Sequence, residues 1–374
     1  MPTARTILIT GGAGFIGSHL ADHLLARGHR VRALDDLSPQ VHGEGATRPT
    51  YLDREVELVV GDVRDRAAVR RALQGVDAVY HLAAMVGVGQ SMYEIERYTS
   101  VNAVGTAVLL EALIERPVER LVVASSMSLY GEGLYRDARR LPFPGAERTL
   151  AQLARREWEP VGPAGEPLAP LPTPEGKAPA LPSVYALTKF DQERLCLTAG
   201  RAYGIPTVAL RFFNVYGTRQ ALSNPYTGVL AIFAARLLNG RPPLVNEDGL
   251  QRRDFVSVHD VAQACRLALE VPAAAGQVFN VGSGRSFTVR EVAERLAAVL
   301  GQERLAAEIT GKYRMGDIRH CFADIERARR VLGYAPRVDF EDGLRELAGW
   351  LEGQLPHDRV HEAASKLAAL GLSI

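Results

Sequence analysis

Tyr185 and Lys189 stand four residues apart in the run Ser183-Val184-Tyr185-Ala186-Leu187-Thr188-Lys189. On a helix that spacing stacks both side chains on one face, one turn apart. An ammonium beside a phenol favours the phenolate and lowers its pKa. A tyrosine tuned in that way can take a proton from an alcohol near neutral pH. The same spacing also describes a surface pair in which the lysine stem covers the ring. What separates the two is whether the chain brings a cofactor to the pair and gives the alcohol an approach.

The first elements of the chain supply a cofactor site. Thr6-Ile7-Leu8-Ile9-Thr10 is short, apolar and β-branched, a buried strand. It runs into Gly11-Gly12-Ala13-Gly14-Phe15-Ile16-Gly17, after which Ile16, Leu20 and Leu24 repeat at helical spacing up to Gly28. Strand, glycine turn and helix in one unit is a dinucleotide-binding start. Gly11 allows the tight turn, Gly14 lets the backbone approach a pyrophosphate, Gly17 lets the helix pack, and the helix N-terminus faces the anion. The spacing is G-x-x-G-x-x-G; a glycine turn without ligand is the alternative that the flanking strand and helix disfavour. The strand from His29 to Leu34 ends at Asp35-Asp36, acids placed for the adenosine ribose hydroxyls. A carboxylate there repels a 2′-phosphate, which favours NAD over NADP. Asp36 also suits a solvated turn.

Further strands follow at Glu57–Val63, Ala78–Ala84, Leu121–Ser126 and Thr207–Phe213, with helices at Asn102–Glu115 and Ser183–Gly204. Asp62 is placed for the adenine amino group. The alternation implies an α/β fold with a parallel, doubly wound Rossmann sheet. Ser125 and Ser126 lie at a carboxyl strand end, where such sheets bind ligands, although a serine there is also a common helix cap.

Composition narrows the class. The chain has 374 residues, 47% hydrophobic and 23% charged, with a net charge of +1. That is ordinary for a soluble protein and gives no reason to expect nucleic acid or an anionic membrane. No apolar run reaches the length of a membrane span, and no signal-peptide pattern is present. Cys196, Cys265 and Cys321 are scattered and odd in number, neither a disulfide framework nor a zinc site. A cytoplasmic location and no metal are expected.

Residues 1–213 are expected to form the NAD-binding domain, 214–353 mainly a smaller substrate lobe that also returns to the sheet, and 354–374 a C-terminal surface helix from His357 to Leu370. Within the first unit, residues 131–182 carry ten prolines and read as a long loop, helical only at Glu147–Arg156. A loop of that length is a lid, a binding loop or a connector. Its ends join Ser126 to Tyr185, so it is expected to fold over the site; a solvent-facing loop without function is the alternative. Thr288-Val289-Arg290-Glu291 matches a capping box opening a helix to Leu300.

Together these pieces resemble the extended short-chain dehydrogenase/reductase family, in its NAD-dependent nucleotide-sugar epimerase/dehydratase branch. The matching segments are Thr10–Gly17, Asp35-Asp36-Leu37-Ser38, Asp62-Val63, His81-Leu82-Ala83-Ala84, Asn102-Ala103-Val104-Gly105-Thr106, Ser125-Ser126, Tyr185-x-x-x-Lys189, Arg211–Gly217 and Arg253-Asp254-Phe255. They stand in the family's order and span nearly the whole chain except the insert and the tail. The resemblance implies that Tyr185 is the base, that Lys189 holds the nicotinamide ribose and biases Tyr185, and that Ser126 hydrogen-bonds the reacting oxygen. It implies NAD contacts from Gly11, Gly14, Phe15, Ile16, Gly17, Asp35, Asp36, Leu37, Ser38, Asp62, Val63, Leu82, Ala83, Ala84, Asn102, Ser125, Tyr185, Lys189 and Phe212. It implies nucleotide-sugar contacts from Val86, Ser126, Ser128, Tyr185, Asn214, Asn224, Gly228, Val229, Val245, Arg253, Arg314 and Asp317. An arginine suits a diphosphate because its planar fork binds two oxygens. The family also pairs the helices beginning near Asn102 and Tyr185 into a homodimer; Leu109, Leu110, Leu113, Leu195 and Leu197 offer apolar surface for that, or for internal core.

Within the branch, dehydratases place Asp-Glu after the catalytic Thr and decarboxylases keep the Glu. Here Met127 and Ser128 follow Ser126, and neither can be the general acid that water elimination needs. A 4-epimerase is therefore expected, which oxidises C4 and returns the hydride to the other face. The Ser126–Tyr135 stretch, the insert and the Gln220–Tyr226 segment most resemble 4-epimerases of dTDP-linked 6-deoxyhexoses such as dTDP-L-rhamnose, with UDP-hexoses next. Glucuronate 4-epimerases tend to carry Thr where this chain has Asn214. The alternatives are a 4-keto-6-deoxysugar reductase, a UDP-glucuronate 4-epimerase and a catalytically silent NAD-binding regulator.

Overall fold

The computed structural model describes residues 4–224, 226, 228–352, 354, 358 and 360–373. Seven strands form one parallel sheet: β1 (Thr6–Thr10), β2 (Arg30–Asp35), β3 (Glu57–Val60), β4 (Ala78–His81), β5 (Arg120–Ser126), β6 (Thr207–Phe212) and β7 (Val278–Val281). Their spatial order is β7-β6-β5-β4-β1-β2-β3. Every residue of β1, β4, β5 and β6 is buried, because helices cover both faces of a parallel sheet. The chain winds one way from β1 through β2 and β3, then restarts at β4 on the other side of β1. At that reversal the carboxyl ends of β1 and β4 open a crevice, the place where doubly wound sheets bind ligands. Register puts Thr10 beside His81 and Ser126 beside Phe212, so the functional strand ends lie along one rim.

Helix α1 (Phe15–Leu25) follows the glycine turn. Helix α2 (Gly105–Glu115) is entered through a π-helical turn at Ser100–Val104, where the expected helix start at Asn102 falls. Helix α3 (Val184–Tyr203) opens on a Ser183 cap, whose Oγ accepts from Ala186 N, and closes on Gly204 in the left-handed region. A second apolar cluster lies apart from the sheet. It joins α4 (Val229–Leu238), the helix Val289–Val299 with its capping box at Thr288 and Glu291, and the helix Phe340–Leu351, through Phe233, Leu296, Phe340 and Leu344.

The insert is more ordered than its prolines suggest. Leu134–Arg136 pairs with both Pro142–Pro144 and Ala169–Leu171 in an antiparallel three-stranded sheet, and Leu150–Ala154 is a short helix. Three-residue strands are too short to show alternation, and their prolines read as turns; on edge strands proline is tolerated. Thr173 N donates to Phe322 O at 2.8 Å and Gly133 N to His320 O at 2.8 Å, which ties the insert to the body.

The tail also departs from expectation. Helix α5 (Val360–Ala369) buries Ala363 and Leu367, so it is packed rather than purely superficial. Pro225 of the Gln220–Tyr226 segment, Gly353 at the end of the expected substrate lobe and His357 at the expected helix start lie outside the described residues. Among those residues no helix is long and apolar enough to cross a membrane, and no group of His, Cys, Asp and Glu could hold a metal ion. The three cysteines are buried and free.

Candidate active site

One cleft of about 1080 Å³ runs along the carboxyl rim of the sheet and into the second lobe. Single-ligand pockets span roughly 300–1,000 Å³, so this cleft has room for a cofactor and a second molecule together.

Its cofactor end is built by the glycine turn. Gly11 has φ +70°, and a Cβ there would meet Ala83 N at 2.9 Å. A Cβ on Gly17 would stand 2.3 Å from Gly11 O, so only glycine lets the helix start this close to the turn. Beside Gly14 nothing but Gly11 O comes within 4 Å, leaving its backbone open to a ligand. No side chain caps α1 and no acid occupies its first turn, so its N-terminal N–H groups are free for a pyrophosphate. Asp35 follows at the end of β2, where Oδ2 accepts from Ala13 N and Oδ1 from Leu37 N, each at 3.0 Å. Asp36 beside it has its pKa raised, by burial first and then by the charge of Asp35. Asp62 is clamped by Arg64 at 3.0 Å and 2.5 Å, and hydrogen bonding from that guanidinium lowers its pKa. These groups fit NAD: a glycine cradle, an open helix terminus and two carboxylates at the ribose position.

The reacting end collects Ser126, Ser128, Tyr185 and Lys189 on the same cleft. Ser126 accepts from Ser128 Oγ at 2.9 Å, and its hydroxyl draws the pKa of the Tyr185 phenol down. That pKa is nevertheless raised, because burial outweighs the pull of Ser126. The expected downward bias from Lys189 is not what the structure shows. Lys189 Nζ donates to Gln192 Oε1 at 2.5 Å, and burial pulls its own pKa down to about 8. Gln192 in turn donates to Thr106 Oγ1 at 3.0 Å and Ala83 O at 3.2 Å, and meets His81 Nε2 at 3.1 Å. His81 is wholly buried with its pKa lowered to about 3, by burial first and then by Lys189, so it is neutral. Its ring spans Thr10 Oγ1 and Thr106 Oγ1 at 2.8 Å each. This ladder under Lys189 escaped sequence reasoning; a glutamine one turn beyond Tyr185–Lys189 carries no motif signal.

The second end is lined by Val86, Asn214, Asn224, Gly228, Val229, Arg253, Arg314 and Asp317. Arg314 and Asp317 form an ion pair at 2.7 Å. Arg253 spends its guanidinium on the carbonyls of Arg252, Ile318 and Arg319. Asn214 Oδ1, Gln220 Oε1 and Gln251 Oε1 are buried without a partner and belong to cleft-lining residues. Unsatisfied acceptors at such a place mark a site for a polar ligand with donor groups.

Three expected contact residues are not in the lining. Leu37, at φ +51°, packs into the sheet core. Val245 is fully buried in the second cluster while its neighbours Leu244 and Asn246 line the cleft. Asn102 sits behind the wall, where Oδ1 accepts from Met85 N at 2.7 Å and Nδ2 donates to Met85 O and Thr188 Oγ1. The remaining expected residues are brought together along the cleft: Phe15, Ile16, Ser38, Val63, Leu82, Ala83, Ala84, Ser125 and Phe212 join those described. The insert does not fold over the site as expected, since no residue of 131–182 lines the cleft. It lies behind the 313–320 segment instead, with Arg148 over the Tyr313 ring and Glu132 accepting from Arg319 N.

Residues 7–151 and 161–282 match the model of the NAD dependent epimerase/dehydratase family. A dTDP-L-rhamnose 4-epimerase of Burkholderia thailandensis is 36% identical over 357 residues, covering 94% of this chain and 96% of that protein. The crystal structure of a Thermotoga maritima UDP-glucose 4-epimerase with UDP-glucose superposes with a TM-score of 0.76 at 30% identity, over 93% of this chain and 99% of that one. A Thermus thermophilus UDP-glucose 4-epimerase in complex with NAD gives 0.72 at 32% identity, over the same 93% and 99%.

Proposed function

Because this chain belongs to the NAD dependent epimerase/dehydratase family and is an NAD-dependent nucleotide-sugar 4-epimerase, we propose that its substrate is a dTDP-linked 6-deoxyhexose. The pair dTDP-L-rhamnose and dTDP-6-deoxy-L-talose comes first, and a UDP-hexose such as UDP-glucose or UDP-galactose next. The observation that carries the epimerase reading is that Ser126, Tyr185 and Lys189 line one cleft that continues from the cofactor cradle to Arg314. The 36% identical relative supports the choice of sugar.

Bound NAD supplies the acceptor and donor of the C4 hydride. The chain's own groups do the rest. Tyr185 takes the proton of the C4 hydroxyl and later returns it. Ser126 holds that oxygen. Lys189, fixed by Gln192, keeps a positive charge beside the reacting groups. Met127 and Ser128 offer no acid to expel water, so the keto sugar turns over instead of dehydrating. With no cofactor added, the enzyme should interconvert the two C4 epimers; a reductase would instead consume reduced cofactor mole for mole.

The charge on Lys189 makes the rate depend on pH in a stated direction. Its pKa lies near 8, so kcat should fall as pH rises through that value and the ammonium loses its proton. Glu193, which is paired with Arg211, faces Lys189 and opposes the loss; Cys196, whose thiol burial pushes up to about 12, and neutral His81 across Gln192 face it without charge. A hydrogen bond to a charged group contributes about 1.5 kcal/mol, equivalent to about one pH unit. Gln192→Leu should therefore move the alkaline limb about one unit down, and Gln192→Glu should move it up. Identical limbs in all three pH profiles would remove Gln192 from the site.

We also infer a homodimer through α2 and α3. Leu109, Leu110 and Leu113 are internal core, but Leu187 and Leu195 on α3 and Val104 before α2 are 46%, 38% and 51% exposed. Those three together with Ile114 on α2, not the buried leucines, are the apolar surface available to a second copy. Light scattering at micromolar concentration should give twice the mass of one chain, and a single-chain mass would refute it.

A further inference from the structure

The segment from Asp358 to Ser373 has no part in the motifs above, yet it lines the cleft. Val360, His361, Ser365, Leu367 and Ser373 all belong to its wall. His361 and Ser365 are four residues apart, so they share one face of α5.

The segment is held at both ends and on different lobes. At its start, the Asp358 side chain is 3% exposed and pairs with Arg236 of α4 at 3.3 Å and with Arg241 at 3.0 Å. At its far end, Leu367 is buried against the Val88–Ser91 turn, close enough that a Cβ on Gly89 would meet Leu367 Cδ1 at 3.3 Å. Lys366 Nζ stands 4.3 Å over the Tyr93 ring. The last residues then pair with the strip that carries Arg314. Met315 N donates to Leu372 O at 3.0 Å, and Arg314 and Ser373 form an antiparallel bridge. The same strip holds Asp317, whose carboxylate fixes the Arg314 guanidinium.

We propose that Asp358 and residues 360–373 are a built part of the nucleoside-diphosphate site, a strap that ties the substrate lobe to the Val88–Tyr93 region and holds Arg314 in place. This rests on the nucleotide-sugar reading above and deepens it. The strap presents the hydroxyl of Ser365 and the imidazole of His361 to the cleft and supplies the backbone partner of the Arg314 strip. Without it, the strip that carries both Arg314 and Asp317 would lose its backbone partner and have to be ordered by the ligand, at a cost in affinity.

The test measures binding of UDP and of dTDP by calorimetry to the NAD-loaded chain, to a chain ending at Glu352, and to Leu367→Gln in the full chain. The substitution is neutral and a good helix former, so it loosens the strap without adding charge or breaking α5. Both variants should retain NAD, because no strap residue touches the glycine turn, and both should bind the nucleoside diphosphates at least about ten-fold more weakly, a change of 1.4 kcal/mol. An unchanged affinity in a truncated chain that retains NAD overturns the proposal. Should truncation abolish folding and NAD retention, Leu367→Gln decides: wild-type affinity there overturns it equally. A full chain that binds UDP or dTDP strap-dependently but inverts no sugar would sink the substrate reading and leave the strap standing.

Discussion

Tyr185→Phe should reduce turnover by about 10²–10⁴-fold, the usual worth of a positioned acid–base group, while leaving NAD content and nucleotide affinity unchanged. The reason is local. Only the phenol oxygen is lost, and the ring keeps its edge-on contact with Tyr98 at 6.4 Å between centroids. Ser126 keeps its other partner, Ser128. To act as base the phenol must be ionised, which burial opposes; the Phe variant has no ionisable oxygen at any pH, so the loss should be present across the neutral range. Single-turnover kinetics with calorimetry on the same sample separates chemistry from binding. A Phe variant with wild-type kcat would remove Tyr185 from the mechanism.

Arg319→Met should lower the thermal midpoint by an amount equivalent to about 3–5 kcal/mol, the range for breaking a buried ion pair by removing one partner. Arg319 is fully buried. It reaches Glu247 at 2.9 Å, Asp248 at 2.6 Å and Glu159 at 2.5 Å. Glu247 is equally buried and shares its second oxygen with Arg148 of the insert at 2.9 Å. Removing Arg319 leaves Glu247 with one cation and Glu159 with His320 alone. Because these groups come from the insert, the second lobe and the strip before the last sheet-edge contacts, the loss should loosen the insert and the Arg314 strip together. Differential scanning calorimetry reads it, and an unchanged midpoint would show that the cluster is a solvated ornament. Replacing the central insert, residues 139–179, would remove Arg148 and Glu159 as well; the insert acts here as backing for the Arg314 strip.

The parts of this account visible in the sequence are those with a steric or periodic cause. Gly11 and Gly17 are glycines because a Cβ would strike Ala83 or Gly11 itself, and such demands leave a fixed spacing. Tyr185 and Lys189 sit on a helix whose cap, Ser183, and terminator, Gly204, are both sequence signals. What was not visible depends on contacts between distant residues. The lysine's partner, Gln192, was hidden because its worth comes from His81 and Thr106, 111 and 86 residues away. The insert's sheet was hidden because three-residue strands show no period. The tail helix looked like a solvated face because its buried stripe is only Ala363 and Leu367, too narrow to stand out. The family resemblance places Leu37 and Val245 at the site, whereas one-residue alternation along an extended chain turns Val245 inward and Leu244 and Asn246 toward the cleft.

The central claim is that C4 is oxidised and the same hydride returned. It is tested most directly with a nucleotide sugar carrying deuterium at C4, dTDP-L-rhamnose first and UDP-glucose second, incubated with the enzyme and no added cofactor. The expected product, read by NMR, is the C4 epimer with deuterium still on C4. Inversion with the label lost to solvent, or turnover only when reduced cofactor is supplied and consumed, would contradict it.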